Sequence, residues 1–236
     1  EVEALRETKN GEHTLNYAPE IDFTEATSKL KVVVSDGREG KEAIGYMKAY
    51  VNMDVATLNV GSQPLANNAH VKYPDAFGMV SLNDLKTYSV DYAIANEVNA
   101  KNVDFKFYCF GASGSPRLYS MDNTGKDGEF SGSTGKLSAI KVKNLTRFAI
   151  LSNFDYENAT VASISSEILS SSIAQSLLDP IAVGNVIAFR TGGSSAAGGG
   201  RIGVMKVINI TEPKELVSNN ATARVMTVEI KFPKKK

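Results

Sequence analysis

Residues 177–210 read LLDPIAVGNVIAFRTGGSSAAGGGRIGVMKVINI, and this stretch decides the fold. Two apolar, β-branched runs, 185–191 and 201–210, flank nine residues made only of Gly, Ser and Ala. Short Val/Ile/Phe-rich runs bounded by glycines are the mark of buried strands, and a Gly-bearing connection between them predicts a hairpin. With almost no side chain to pack, 192–200 reads as a solvent-exposed tip. Shortening it should then matter little, because loop-closure entropy changes slowly with length. Arg190 and Arg201 flank the base of that loop, where their charge could hold an anionic partner.

Upstream of the hairpin, 157–178 places Val161, Ile164, Ile168, Leu169, Ile173 and Leu177 at steps of three and four. That spacing predicts one helix broken near 170–172, or two short ones, ending at Asp179-Pro180. The segments 137–142 and 147–151 read as short strands, and 111–136, rich in Gly and Ser, as loop with an extended piece around 117–120. In 103–110, alternation puts Val103, Phe105, Phe107 and Cys109 on one strand face. Asp104 and Lys106 fall on the other, where a surface ion pair is the simple account. Residues 89–99 predict a short helix capped by Ser89, with Val90, Ala93, Ile94 and Val98 at helical spacing. Downstream, 224–232 alternates as a half-buried closing strand.

The N-terminal part has a different texture. Residues 1–20 are polar and weakly patterned, so a loosely held start is expected. The runs 30–34 and 43–55, joined across two glycines, read as paired strands, and 61–76, with two prolines, as a linker. The fold class is therefore mainly β. A β-sandwich-like module is expected over 1–66, and a larger β-rich domain with two or three short helices over 67–236.

Composition narrows function more than it names it. The chain has 236 residues, 42% hydrophobic and 22% charged, which suits an ordinary globular protein. Lys plus Arg equals Asp plus Glu at 26 each, so there is no basic excess to favour nucleic acid. The closing PKKK reads as a solvated tail. No apolar run approaches the length of a membrane-spanning helix. The single cysteine, Cys109, excludes an intrachain disulfide, and its strand setting predicts a buried, inert thiol. With two histidines and one cysteine, no metal site and no cofactor are expected.

Three motifs approach catalytic patterns without meeting them. Residues 198–203 spell G-x-G-x-x-G, but a strand follows where the dinucleotide fingerprint needs a helix. In 125–136 a phosphate loop would need Gly where Phe130 stands and Ser or Thr where Leu137 stands. Gly111-Ala112-Ser113-Gly114-Ser115 is one residue from a G-x-S-x-G nucleophile elbow, yet His13 and His70 both lie far upstream in weakly patterned sequence. Tyr88, Tyr92, Tyr108 and Tyr119 gather within residues 88–119. Of these, Tyr108 and Tyr119, with Arg190 and Arg201, are the candidate binding residues.

Blocks of the sequence also resemble known proteins. AVGNVIAFRT followed by GGGRIGVMKVINI is similar to G-x-V-I-A-F-K-T and G-K-x-G-L-I-K-V, a pattern of secreted lipoproteins of Bacteroidetes. NVDFKFYCF, SPRLYSMD and NLTRFAIL resemble earlier blocks of the same proteins, and the likeness spans about 80–211. The insert GGSSAAGGG departs from it, since a tight turn is usual there. The resemblance implies an immunoglobulin-like module upstream and an outer-membrane or extracellular location. The chain opens at Glu1 without Met, so the lipid-bearing cysteine is expected upstream of it. No catalytic residue transfers. The function expected is a non-enzymatic, monomeric surface protein binding a glycan or another envelope protein, touching the membrane only through its anchor. The alternative is a carbohydrate-active enzyme whose two carboxylates, about 5–10 Å apart, the sequence does not mark.

Overall fold

A computed structural model describes residues 29–35, 42–48 and 52–235, the first two segments as backbone only. Strands β1 (Lys29–Ser35) and β2 (Glu42–Lys48) form the antiparallel hairpin expected there, running from Lys29 opposite Lys48 to Ser35 opposite Glu42. The expected loose start over 1–20 lies outside the described residues. The strand expected over 43–55 is two elements. β2 ends at Lys48, and β3 (Met53–Gly61) starts after Asn52, whose φ of 54° places it in the left-handed region.

Next come the short antiparallel pair β4 (Met79–Ser81) and β5 (Lys86–Tyr88). Two helices follow, α1 (Val90–Ala95) and α2 (Glu97–Lys101), where one was expected. Ser89 caps the first as predicted, accepting from the Tyr92 N–H at 3.1 Å. Asn96 ends it in extended conformation and caps the second through the Asn99 N–H. β6 (Phe105–Phe110) and β7 (Ser115–Ser120) then make a hairpin. β8 (Arg147–Leu151) stands where expected. The helix expected over 157–178 is α3 (Val161–Glu167), opened by a Thr160–Ser163 capping box and broken into a 3-10 turn at Ser170–Ser172. The chain continues through β9 (Leu177–Leu178), β10 (Val186–Arg190), β11 (Ile202–Ile210) and β12 (Val225–Pro233).

Two antiparallel five-stranded sheets result, ordered β3-β12-β11-β10-β8 and β5-β4-β6-β7-β9. β3 pairs along its whole length with β12, so the boundary expected at residue 66 falls after a strand of the first sheet. The predicted β10–β11 hairpin lies inside that sheet, in register from Arg190 opposite Ile202 to Val186 opposite Lys206. At one side the chain passes from sheet to sheet. Gln175 exchanges two backbone bonds with Phe148 of β8, and β9 pairs with β7 two residues later.

The main core lies between the sheets. Phe105 meets Phe148 edge to face there at 5.7 Å, and Phe107, Leu118, Phe189, Met205 and Val228 fill the same layer. Cys109 is buried in it as expected, and burial pushes its thiol up to about 12. The outer faces are also covered. Val90 and Ala93 of α1 pack with Met79, Tyr108, Phe130 and Leu137, and Ile164 of α3 packs with Ile168, Ile173, Ala188 and Val204.

Covering both faces of β6 overturns the surface ion pair. Asp104 and Lys106 are each 0% exposed and do not pair with one another. Lys106 meets Asp127 at 2.7 Å and donates to the Asn123 carbonyl at 3.0 Å. Burial lowers its pKa, with Asp127 opposing that shift. The strand expected over 137–142 is instead a 3-10 turn at Leu137–Ala139, which sets buried Leu137 and Ile140 three residues apart toward the same cluster.

The loop 192–200 is not a free tip. Ser195 and Ala197 are buried, and Ala197 belongs to the inter-sheet core. The Ser195 hydroxyl donates to Asp104 Oδ1 at 2.6 Å, Ser194 donates to Asn144 Oδ1 at 2.7 Å, and the Ala196 N–H donates to the Lys101 carbonyl at 2.8 Å. The loop is folded back and fastened over one end of the sandwich.

Candidate binding groove

The four candidate binding residues are spoken for, in three separate places. Tyr108 and Tyr119 are 2% and 4% exposed and meet edge to face at 5.5 Å under the helical cover. The Tyr108 hydroxyl donates to Glu129. Arg190 donates to Ser170 Oγ and the Ile173 carbonyl at 3.4 and 3.3 Å, on the α3 side of the first sheet. Arg201 lies 4.0 Å from the Phe232 ring centroid and donates to the carbonyls of Ala197 and Pro233. Each guanidinium ties the loop or cover to the sheet, which accounts for a charged residue at either strand end.

Two neighbouring acids, Asp84 and Asp104, are pushed in opposite directions by their surroundings. Asp84 accepts from the Tyr88 hydroxyl at 2.6 Å and from Asn102 Nδ2 at 2.5 Å, and sits below the usual carboxylate range. Burial is opposed there by the bonds from Tyr88, Asn102 and Asn83 and by the charge of Lys86. Burial pushes Asp104 up to about 6, against the bonds it accepts from Ser195 and from the Leu82 N–H at 2.8 Å. Divergent pKa values of this kind can mark an acid/base pair. Here both Asp104 oxygens are bonded and the residue is sealed, so the pair works as a structural anchor. Tyr88 and Tyr92 stack on one another at 3.9 Å beside it, with the hydroxyl of each already bonded.

An open surface lies elsewhere, at the edge of the first sheet. β8 and the segment following α3 are clasped where Phe148 and Gln175 exchange bonds of 2.8 and 3.1 Å. Beyond that clasp the two segments enclose a groove of about 540 Å³. Ile150, Leu151 and Phe154 line one side, and Glu167, Ile168 and Ser172 the other. Ile150 is 47% exposed, and Leu169 on the neighbouring turn is 68% exposed. Glu167 is the one carboxylate in the lining and has no ion pair among the described residues.

Strand geometry shows what the edge offers. In an antiparallel sheet, alternate residues direct their N–H and C=O to opposite neighbours. Phe148 directs both to Gln175, so Arg147, Ala149 and Leu151 serve β10, opposite Arg190, Ala188 and Val186. Ile150 therefore turns its backbone groups outward into the groove, and no backbone partner meets them among the described residues. Nothing in the stretch RFAILSNF reveals this. Edge status depends on which distant strand stops short.

Among the described residues no cluster of three or more His, Cys, Asp or Glu could hold a metal, and no helix is long and apolar enough to cross a membrane. No family model matches the chain, and no curated protein matches it. Among solved structures it is similar to a DUF4466 family protein from Parabacteroides merdae, with 15% identity and a TM-score of 0.48. The match covers 81% of this chain and 57% of that one, so the chain spans little more than half of that protein's length.

Proposed function

We propose that this chain is a non-enzymatic binding protein of a bacterial cell surface, holding its ligand in the groove beside β8. The observation that carries the reading is the groove itself: an apolar-rimmed cleft of about 540 Å³ with one carboxylate in its lining. Glycoside hydrolysis in its usual form needs two acids flanking the bond, and a single acid suits recognition better than cleavage. The surface location rests on the sequence's resemblance to Bacteroidetes lipoproteins, as does the choice between a glycan and an envelope protein as ligand.

Ser152 is exposed at the groove, beyond the last residue of β8, so Ser152→Trp fills the cleft without touching the ladder to β10. Glycan arrays and displayed peptides, probed with the wild-type chain and this variant, test the assignment. A ligand captured by the wild type should be lost by Ser152→Trp, with no reducing ends released from any captured glycan. Cleavage of a captured glycan would overturn the non-enzymatic reading, and undiminished binding by the variant would remove the ligand from this groove.

A further inference from the structure

We infer that the ligand of this groove is an extended polypeptide segment, added as a further strand to the free edge of β8; this rests on the groove proposed above. The edge already accepts a chain segment one pairing position away. Gln175 lies against Phe148 as an antiparallel bridge, with both backbone bonds made. The next outward position, Ile150, has the same N–H and C=O geometry by strand alternation and no backbone partner among the described residues. Phe148, already bonded to Gln175, and Ile150 make an outward N–H/C=O row whose second position is open, and such an edge is a template for another chain. It matches the period of a peptide backbone, which a glycan's hydroxyls do not repeat.

The groove also limits what the segment can be. On the β8 side of the lining only Ala149, Ile150 and Leu151 are strand, roughly 10 Å of extended chain at about 3.3 Å per residue, and the chain bends away at Ser152 and Asn153. A paired stretch of about three residues therefore fits. The residue paired with Ile150 presents its side chain on the face that Ile150 shares, so an apolar residue belongs there. The unpaired Glu167 carboxylate on the opposite wall favours Lys or Arg nearby in the same segment. The partner is thus a short, exposed, extended segment of another protein, apolar at its centre and basic beside it.

The test uses phage-displayed unstructured decapeptides selected on the full wild-type chain, with a glycan array alongside. Ile150→Pro removes the outward N–H while leaving intact the bonds that Ala149 and Leu151 make to β10, and Pro is tolerated at such edge positions. Ile150→Ala keeps that N–H and trims the side chain. Selected peptides should bind Ile150→Pro about tenfold or more weakly, Ile150→Ala about threefold more weakly, and Ser152→Trp not at all. In the wild type, bound peptide should slow exchange of the Ile150 amide, a readout that stands even if Ile150→Pro does not fold. Equal losses in the two Ile150 variants, or an unprotected Ile150 amide, would overturn strand addition while leaving the groove in place. Capture of glycans alone, sensitive to Ser152→Trp, would do the same. Peptide binding equal in all three variants would overturn the groove as well.

Discussion

Two hairpin connections built from the same small residues behave in opposite ways. The β6–β7 turn, residues 111–114, is a short reversal closed by the Gly114 N–H on the Gly111 carbonyl at 3.0 Å, and its first three residues are exposed. The β10–β11 loop, at the other end of the sandwich, is more than twice as long and sends Ser195 and Ala197 inward. Composition does not separate them. What lies beyond the strand ends does: the longer loop meets Asp104, Asn144 and the Lys101 carbonyl. The shorter turn meets the 221–224 segment only through Gly114 and the Ser113 carbonyl and leaves Gly111 and Ala112 in solvent. Small residues suit close docking as well as they suit flexibility. At Gly192 an added Cβ would lie 2.5 Å from the Leu145 backbone N.

Deleting residues 193–197 should break this comparison most visibly. It removes the Ser195 and Ser194 hydrogen bonds, takes Ala197 from the core, and leaves Asp104 with one donor. Losing a donor to a buried carboxylate costs about 1.5–3 kcal/mol by itself, and the combined loss should be on the order of 4 kcal/mol. Thermal unfolding should shift down by roughly 8 °C or more for a domain of this size. A shift of only a few degrees would mean that the loop is a free tip after all.

Such a reversal shows where sequence reading carries and where it stops. The positions of β6, β8, β10, β11 and β12 and the Ser89 cap are legible because they rest on local patterns: alternation, β-branching and a hydroxyl before an apolar run. Asp104 and Lys106 misled because alternation assigns faces but not what covers them. In hindsight FKFYCF, nearly all apolar or aromatic, carries the signal of a strand buried on both sides. Leu137 and Ile140 fit a three-residue spacing as well as a strand, and only their shared cluster decides between the two. The β8 groove had no local signal, because an edge is made by the absence of a distant neighbour.

Asp104 provides a second, smaller way to sharpen the comparison. Its folded pKa, about 6, lies above the ordinary value of 3.8, so between those limits the folded chain holds a proton that the unfolded chain does not. Protonation therefore favours folding, and this contribution is lost as pH rises through about 6. A gap of about two between those pKa values is worth on the order of 2–3 kcal/mol. Denaturant midpoints measured from pH 4.5 to 7 should fall with rising pH in the wild type. Asp104→Asn keeps an acceptor for the Leu82 N–H and offers a donor to Ser195 Oγ, so it should flatten that slope and lose little stability at pH 7. An unchanged slope in the variant would remove Asp104 as its source.

The smallest effect belongs to the exposed turn. Gly111 has φ +69°, in the left-handed region, and an added Cβ would meet no atom within 4 Å. Gly111→Ala should therefore carry only the backbone penalty of that conformation, about 1 kcal/mol. Gly192→Ala is the matched contrast: the backbone there is ordinary, but Leu145 stands in the way, so the docked loop must move. Its loss should exceed that of Gly111→Ala, and it should speed amide exchange at Ala196, whose N–H reaches the Lys101 carbonyl, while Gly111→Ala leaves that amide unchanged. Equal losses with no local change in exchange would mean that both connections are governed by backbone conformation alone and that the docking of 192–200 contributes little to stability.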